Sequence, residues 1–499
     1  MDKKQVNKNT GEPKVIELNL SATVAVIIAI IVLIITVTSV KVITTIIAAD
    51  ENKKMNNDTQ AANERVTYVN STLKDESGNI VNETDADGNV IQVPVPKGYS
   101  ASKIEGETTA SKGFVIYEGD VDWSTILVDS KSTQSNVAID EPAFDDDLVV
   151  INENMPESNI VQDANVDVNT FDATTNDTTT NDGTTTDTTV PTQEEINIFN
   201  LQKTRNQYVW VPVDDPSRIY GVDSKGKIWG KLYWFSSTGR KALNWTETNG
   251  IMNITSQTNC RDPNVLQSTS YDRDGYSYMH SSGLGETRYE MLAQELEQNY
   301  YEIIESIKKY GGFYIGRYET GGLNGTAVVR KMDTNIADQN WYTMYKKCLT
   351  LKEKNTDVKT SMIFGNLWDE ALEWLVKSGA TISDGTTLTY QLMRSDSTTW
   401  GNYLNATFNY IAANAETPLM TETKAQSTST RIPAGSAEYT KANNVYDMAG
   451  NVLDWTTEAN YTDNRVYRGG YYDSSGDFPP ASPHGSYNPD YGSNYRRLS

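Results

Sequence analysis

The chain of 499 residues is poor in cysteine, in histidine and in basic charge. Its two cysteines, Cys260 and Cys348, can form at most one disulfide, which excludes a disulfide scaffold. Whether they pair or stay apart as buried thiols is open at this stage. The formal net charge is −23, and no face rich in Lys and Arg is visible that could bind phosphate groups. We therefore expect no nucleic-acid partner.

The N-terminal part contains one long uncharged stretch, residues 18–40. About 20 apolar residues in a helix cross the ~30 Å hydrocarbon core of a bilayer, so this stretch is predicted to be a transmembrane helix. Four lysines precede it and an acidic segment follows, which places residues 1–17 in the cytoplasm. A cleaved signal peptide ending near Ala48 is the alternative. We expect a single-pass protein of the cell membrane with an extracytoplasmic C-terminal part.

The middle of the chain carries most of the acidic charge. Residues 51–195 contain 29 acidic and 8 basic residues. We expect a polar tether over 41–77 and a small β-module over 78–128, in which a turn at 85–89 joins two strands as a hairpin. Residues 129–204 are rich in Asp, Asn and Thr and bury too little apolar surface to offset the entropy cost of ordering. They are predicted to be an acidic, disordered spacer.

From residue 205 onward aromatic residues become frequent, and the apolar pattern changes. Apolar residues at helical spacing predict three amphipathic helices, over 287–310, 341–351 and 366–377. Strands are predicted over 208–213, over 313–318 and near 495. Residues 205–499 are therefore expected to form one α+β domain.

Four strings in this region resemble those of the formylglycine-generating enzyme family, or sulfatase-modifying factors, which have a variant of the C-type lectin fold. They are residues 209–212 (VWVP), 312–321 (GFYIGRYETG), 446–455 (YDMAGNVLDW) and 468–470 (RGG). The resemblance implies short antiparallel strands, two or three packed helices and long loops. The expected fold class is thus α+β, a formylglycine-generating-enzyme-like variant of the C-type lectin fold, preceded by a transmembrane helix and an acidic, largely disordered stalk.

The family can bind calcium at the turn that precedes Trp455. Carried over by position, the side chains of Asp447 and Asp454 and the carbonyls of Gly450 and Val452 would be ligands. Ca²⁺ takes such mixtures of carboxylate and carbonyl oxygens. The alternative is that both carboxylates cap backbone N–H groups of a tight turn. Both interpretations stay open.

The resemblance also bears on catalysis. Formylglycine-generating members hold copper through a cysteine pair close before the final strand, and the ergothioneine-synthesis branch binds iron through three histidines. Residues 471–495 contain no cysteine, and the whole chain has two histidines. We therefore expect neither copper nor iron, assign no catalytic residue, and favour a non-catalytic relative. A metal-dependent oxidoreductase of this superfamily is the alternative function.

Residues 471–495 are rich in Tyr, Ser, Gly and Asn. This composition is typical of antibody loops, because tyrosine gives contact area at little rotamer cost and small polar residues give adaptable hydrogen bonds. The segment also resembles the variable regions of ligand-binding proteins that retroelements diversify. We expect it to lie on the surface and to bind an extracellular protein or glycan. The residues expected to contact that ligand are Tyr471, Tyr472, Asp473, His484, Tyr487, Asn488, Asp490, Tyr491 and Asn494.

Overall fold

The computed structural model describes most of the chain after residue 64. The described residues are 65–128, 190–255, 287–322, 326–336, 339–351, 355, 357–460, 464–478 and 480–487. The predicted transmembrane segment, most of the predicted tether and most of the predicted spacer lie outside them. Among the residues that the structure does describe, no helix is long and apolar enough to cross a membrane. This finding contradicts the predicted fold class with its membrane anchor and the predicted cell-membrane location, and neither is pursued further.

The described helices confirm the helical periodicity of the sequence. They are α1 (Trp123–Ile126), α2 (Gln193–Thr204), α3 (Thr287–Tyr310), α4 (Trp341–Thr350), α5 (Gly365–Lys377) and α6 (Tyr390–Arg394), with short 3₁₀ turns at Pro216–Arg218, Thr398–Trp400 and Glu438–Thr440. Helix α2 lies at the end of the region predicted to be a spacer. It begins with a capping box, in which Thr192 and Glu195 each satisfy the other's backbone N–H group.

The strands are short, as an irregular mixed α and β fold requires. They are β1 (Val66–Asn70), β2 (Thr72–Lys74), β3 (Ile80–Asn82), β4 (Gln92–Pro96), β5 (Tyr99–Ala101), β6 (Val115–Glu118), β7 (Gln207–Pro212), β8 (Tyr220–Val222), β9 (Ile228–Gly230), β10 (Tyr233–Ser236), β11 (Gly239–Ala242), β12 (Trp245–Thr248), β13 (Ile251–Ile254), β14 (Gly312–Gly316), β15 (Phe408–Ile411), β16 (Thr421–Lys424), β17 (Lys441–Ala442), β18 (Val445–Tyr446), β19 (Asp454–Asn460), β20 (Asn464–Arg468) and β21 (Gly485–Tyr487).

These strands form many small antiparallel sheets. The largest has the order β14-β7-β6-β5, a second has the order β19-β20-β21, and the others are two-stranded. Strand β6 belongs to the region predicted as a separate β-module, yet Val115 pairs with Val209 in β7. The predicted boundary therefore cuts through a continuous sheet, and the N-terminal strands are part of the same fold as the C-terminal region.

The predicted hairpin around residues 85–89 is correct in its turn and wrong in its strands. The turn forms, with Asp85 accepting hydrogen bonds from the backbone N–H groups of Asp87 and Asn89. The flanking chain makes only an isolated bridge between Thr84 and Val90. Strand β3 pairs instead with β2, and β4 pairs with β1.

Strand β7 shows why the largest sheet is buried on both faces. Successive side chains of a strand point to opposite faces. Val209 and Val211 accordingly pack into one hydrophobic cluster with α5, whereas Tyr208 and Trp210 pack into a second cluster with α4. Gly312 of β14 pairs with Pro212 of β7, and a Cβ added at Gly312 would come within 2.5 Å of the Trp210 ring. Glycine at this position lets the tryptophan fill the second cluster.

Candidate functional site

The segment of residues 471–487 divides into a buried base and an exposed tip. Tyr472 is only 5% exposed, and Ala481 and Ser482 are buried as well. By contrast, Phe478 is 78% exposed, and Asp473 and Asp477 are also exposed. The expectation that this segment lies on the surface therefore fails for Tyr472, Ala481 and Ser482. Three of its exposed residues, Asp473, Asp477 and Phe478, lie within residues 473–478, which we call the recognition tip, and Pro483 is exposed as well.

Backbone hydrogen bonds hold the base of this segment against the preceding loops. The backbone N–H of Leu404 donates to the carbonyl of Ser474 at 2.8 Å, and that of Ser397 donates to the carbonyl of Gly476 at 2.8 Å. On the far side of the tip, the backbone N–H of Ala481 donates to the Ser397 hydroxyl at 3.1 Å. Both ends of the tip are thus fixed to the same neighbouring segment of the protein, residues 397–404.

The predicted ligand-contact residues take different places in the structure. Tyr471 is half-buried, and Tyr487 stacks on Tyr467 with ring centroids 5.1 Å apart, in the strand pair β20–β21. Four of them, Asn488, Asp490, Tyr491 and Asn494, lie outside the described residues. Of the predicted contacts that the structure describes, Asp473 is the one that is exposed.

His484 belongs to a buried ionic cluster rather than to the surface. Its Nδ1 lies 2.6 Å from Glu458 Oε1, and its Nε2 lies 3.1 Å from the backbone oxygen of Tyr233. Arg468 donates to the other oxygen of Glu458 at 2.8 Å and to Asp369 at 3.0 Å. We call these four side chains, Asp369, Glu458, Arg468 and His484, the sealed cluster.

Arg468 joins the two carboxylates of the sealed cluster, and His484 faces oxygen atoms through both of its ring nitrogens. Burial alone would raise the pKa of Glu458, but the charges of His484 and Arg468 outweigh burial and lower it. Asp369 lies beside Arg468, and burial still raises its pKa.

The turn predicted to bind calcium is tight and buried. Asp447 Oδ2 accepts a hydrogen bond from the backbone N–H of Gly435 at 2.7 Å, and Oδ1 accepts one from the Thr440 hydroxyl at 2.6 Å. Burial raises the pKa of Asp447 to about 6, against these two hydrogen bonds. Both oxygens thus already accept hydrogen bonds, as the capping interpretation requires.

The other three predicted calcium ligands lie around the same turn. An added Cβ at Gly450 would meet the backbone oxygen of Asn402 at 2.3 Å, and the backbone N–H of Val452 donates to Glu319 Oε1 at 3.0 Å. Burial, then the charges of Asp447 and Asp454, raise the pKa of Glu319 well above its usual range. In the described part of the chain, no group of three or more His, Cys, Asp or Glu side chains is placed to hold a metal ion. The contacts of Asp447 fit capping at one of its oxygens, whereas capping by Asp454 and calcium binding stay predictions.

Cys348 is a buried thiol in helix α4. Burial raises its pKa to about 12, followed by the smaller effect of Asp454. A thiol in this state is a poor nucleophile and a poor metal ligand, because the reactive species is the thiolate. Cys260, with which it could have paired, lies outside the described residues.

A cavity of about 420 Å³ opens between the N-terminal strands and the C-terminal region. Residues 104–107 form one wall, Gln202 of helix α2 a second, and Arg317, just after β14, a third. The 3₁₀ turn Glu438–Thr440 and the strand pair β17–β18 close it. We call this cavity the polar cleft. Its other lining residues are Lys112, Lys331, Thr381, Glu438, Lys441, Asn443, Asn444 and Tyr446.

A buried ion pair between Arg317 and Glu107 lies at the inner end of the polar cleft, and further hydrogen bonds stabilise it. Arg317 Nη1 lies 2.7 Å from Glu107 Oε1, and both side chains are buried. Glu107 also accepts hydrogen bonds from the hydroxyls of Ser102 and Tyr117, at 2.7 and 2.8 Å. The Nε atom of Arg317 is buried and has no hydrogen-bond partner within the described residues.

The outer part of the polar cleft has two lysines around one carboxylate. Lys331 Nζ lies 3.5 Å from Glu438 Oε1 and Lys441 Nζ lies 3.0 Å from Glu438 Oε2. The Tyr446 hydroxyl donates to Glu438 at 2.6 Å, and both ammonium groups lie within 5.7 Å of its ring centre. Lys331 is only 9% exposed, and burial lowers its pKa.

Sequence reasoning missed both the polar cleft and the sealed cluster. Arg317, which belongs to the polar cleft, and Glu319 both lie in the string 312–321, which carries the family resemblance. Arginine and glutamate are almost never fully buried unless paired, so their position in an apolar strand region was the available signal. For Glu107 and Lys331 the sequence offers no comparable signal.

Comparison with known protein families, curated proteins and solved structures finds no match for this chain. The resemblance to formylglycine-generating enzymes therefore stays a prediction based on the four strings quoted above.

Proposed function

We propose that this protein is a binding protein that recognises a protein ligand through the tip of residues 473–478. The observation that carries the proposal is the 78% exposure of Phe478 on a tip whose two ends are held by hydrogen bonds. A partner that covered this phenyl ring would remove its apolar surface from water, which favours binding. In this proposal the chain is a non-catalytic relative of the formylglycine-generating enzymes.

The fixed base supports recognition because it lowers the entropy cost of binding. Ordering a loop at an interface costs free energy that weakens the complex, and a loop already held in its bound shape avoids this cost. Asp473 and Asp477 both precede Phe478 in sequence, and both residues are exposed. They favour a partner with an apolar pocket rimmed by basic residues, since complementary charge speeds association and rejects acidic surfaces.

The test compares two variants on arrays of purified proteins and of glycans. Phe478→Ala removes the anchor, and Leu419→Ala, which truncates another half-exposed apolar side chain, is the matched control. We expect a discrete set of protein ligands whose affinity falls at least about 30-fold in Phe478→Ala, or about 2 kcal/mol, and is unchanged in Leu419→Ala. Equal loss in both variants, or none in Phe478→Ala, would contradict the proposal. If the protein bound glycans and no proteins, the ligand class in the proposal would be wrong, and a glycan would take its place.

A metal-dependent oxidoreductase is the alternative function, and no feature of the described residues favours it over binding. The one described cysteine is the buried thiol of Cys348, whose raised pKa disfavours the thiolate form. His484 is held by Glu458 and the Tyr233 carbonyl through both ring nitrogens. Metal analysis of the purified full chain separates the two functions, because copper or iron would support oxidation.

A further inference from the structure

We propose that the polar cleft is a second binding site, for a small hydroxylated monocarboxylic acid whose carboxylate lies between Lys331 and Lys441. This inference is independent of the recognition tip. It rests on the charge balance of the cleft, on the burial of its cations and on its volume.

The cleft carries more positive than negative charge once its own ion pairs are counted. Arg317 is matched by Glu107, and Glu105 is matched by Lys74 outside the cleft, at 2.6 Å. Glu438 alone faces both Lys331 and Lys441. Lys112 donates to the backbone carbonyls of Ser378 and Gly379, which carry no full charge. The buried carboxylate of Asp447 also interacts with Lys331, from beyond ion-pair distance. Among the described residues, Glu438 is thus the one carboxylate within 4 Å of the two lysines, and a ligand carboxylate would be a second.

The position of the two lysines favours a bound carboxylate over free counter-ions. Lys331 is 9% exposed and Lys441 is 32% exposed, so water solvates neither ammonium group fully. Attraction between charges is stronger in such a partly dry site than at an open surface. Glu438 does not close the site, because its side chain is 63% exposed and already shared between both lysines.

The remaining lining residues favour hydroxyl groups on the ligand. The side-chain NH₂ of Asn443 donates to Ser378, and that of Asn444 donates to the carbonyls of Gly106 and Gly113. Among the described residues this leaves their amide oxygens to accept hydrogen bonds from ligand hydroxyls. A volume of about 420 Å³ lies in the range of small-molecule sites, roughly 300–1,000 Å³. A single inorganic anion would leave most of the cleft unfilled.

The experiment measures binding to the full chain by calorimetry and by thermal shift. The probes are gluconate and glucuronate, with glucose as the neutral control of similar size and inorganic phosphate as the competing anion. The variants are Lys331→Met and Lys441→Met, with the exposed Lys241→Met as the matched control. We expect at least one carboxylate to bind and raise the melting temperature, and glucose to do neither. Lys331→Met and Lys441→Met should each weaken binding about tenfold or more, and Lys241→Met should leave it unchanged.

Three outcomes of the wild-type measurements would overturn the proposal. They are equal binding of glucose and glucuronate, tighter binding of phosphate than of either carboxylate, and absence of binding by both carboxylates. Equal weakening by Lys241→Met would show a general charge effect and would overturn it as well. Should Lys331→Met fail to fold, Lys441→Met decides, because its side chain is more exposed and contributes less to the core.

Discussion

The sealed cluster and the polar cleft are made of the same kinds of side chain and differ in how their charges are matched. In the sealed cluster Asp369, Glu458 and Arg468 are fully buried, and His484 lies 2.6 Å from Glu458. In the polar cleft the inner pair is also buried, but the outer lysines share one carboxylate that is largely exposed. Each charge of the sealed cluster thus has a buried partner within 4 Å, whereas the outer lysines of the polar cleft have an exposed one.

This difference separates a structural role from a binding role. Buried charges need partners because their desolvation costs several kcal/mol per ion, and in the sealed cluster every charge has one. A site whose counter-charge is incomplete and open to solvent can instead gain free energy from a ligand. Mutations in the sealed cluster should therefore change stability, and mutations at the outer end of the polar cleft should change binding.

The largest effect is expected at Arg468, which joins both carboxylates of the sealed cluster. Arg468→Met leaves Asp369 and Glu458 buried without their shared cation and should lower the free energy of unfolding by about 3–5 kcal/mol. Urea denaturation of both proteins gives this difference. Arg394→Met, at an exposed position in helix α6, is the control and should stay within about 0.5 kcal/mol. A loss at Arg468 no larger than the control would show that the cluster is not structural.

A smaller loss is expected at His484, whose side chain is 10% exposed at the edge of the cluster. His484→Gln removes the imidazole that faces Glu458 and at least one of two hydrogen bonds, and should lower stability by about 2 kcal/mol. A double-mutant cycle with Glu458→Gln checks the mechanism. Because the two side chains interact directly, the second substitution should cost less in the presence of the first. Strictly additive losses would contradict the pairing.

The burial of Lys331 in the polar cleft should affect how the free energy of unfolding depends on pH. Burial lowers the pKa of Lys331 below its ordinary value of 10.5 in the folded state. The unfolded chain therefore holds that proton more tightly, and the wild type gains stability as pH rises toward the ordinary value. Compared with that of Lys331→Met, its unfolding free energy should increase as pH rises toward 10.5. A difference between the two proteins that falls as pH rises would contradict the sign.

Local structure could be predicted from the sequence because its signals are local. Helix α5 runs over Gly365–Lys377, one residue from the predicted start, because Leu367, Leu372 and Leu375 repeat at helical spacing. The prediction of an amphipathic helix missed that residues 365–375 are buried on all sides. The pairing of β6 with β7 could not be predicted in the same way. Its two strands are separated by the predicted spacer of residues 129–204, and no short-range turn signal connects them.

The sites depended on contacts that only the folded chain makes. His484 lies among Pro, Ser, Gly and Tyr, a setting that predicts a surface loop, and the strand β19 that carries Glu458 brings its partner to it. The polar cleft combines Glu107, Arg317, Lys331 and Glu438 from four distant segments. The positions of polar residues in the sequence therefore predict neither which charges are buried nor which charges lack a full counter-charge.

The smallest effect on stability is expected at the recognition tip, and it separates the tip from its own base. Phe478 is 78% exposed, so Phe478→Ala should change the free energy of unfolding by no more than about 0.5 kcal/mol. Tyr472, six residues earlier and 5% exposed, is the matched aromatic truncation, and Tyr472→Ala should cost about 3 kcal/mol through the cavity that it leaves. Urea denaturation of both variants measures the contrast. If Phe478→Ala proved as destabilising as Tyr472→Ala, the phenyl ring would have to pack against the fold in solution, and it would no longer be available as the anchor of a binding surface.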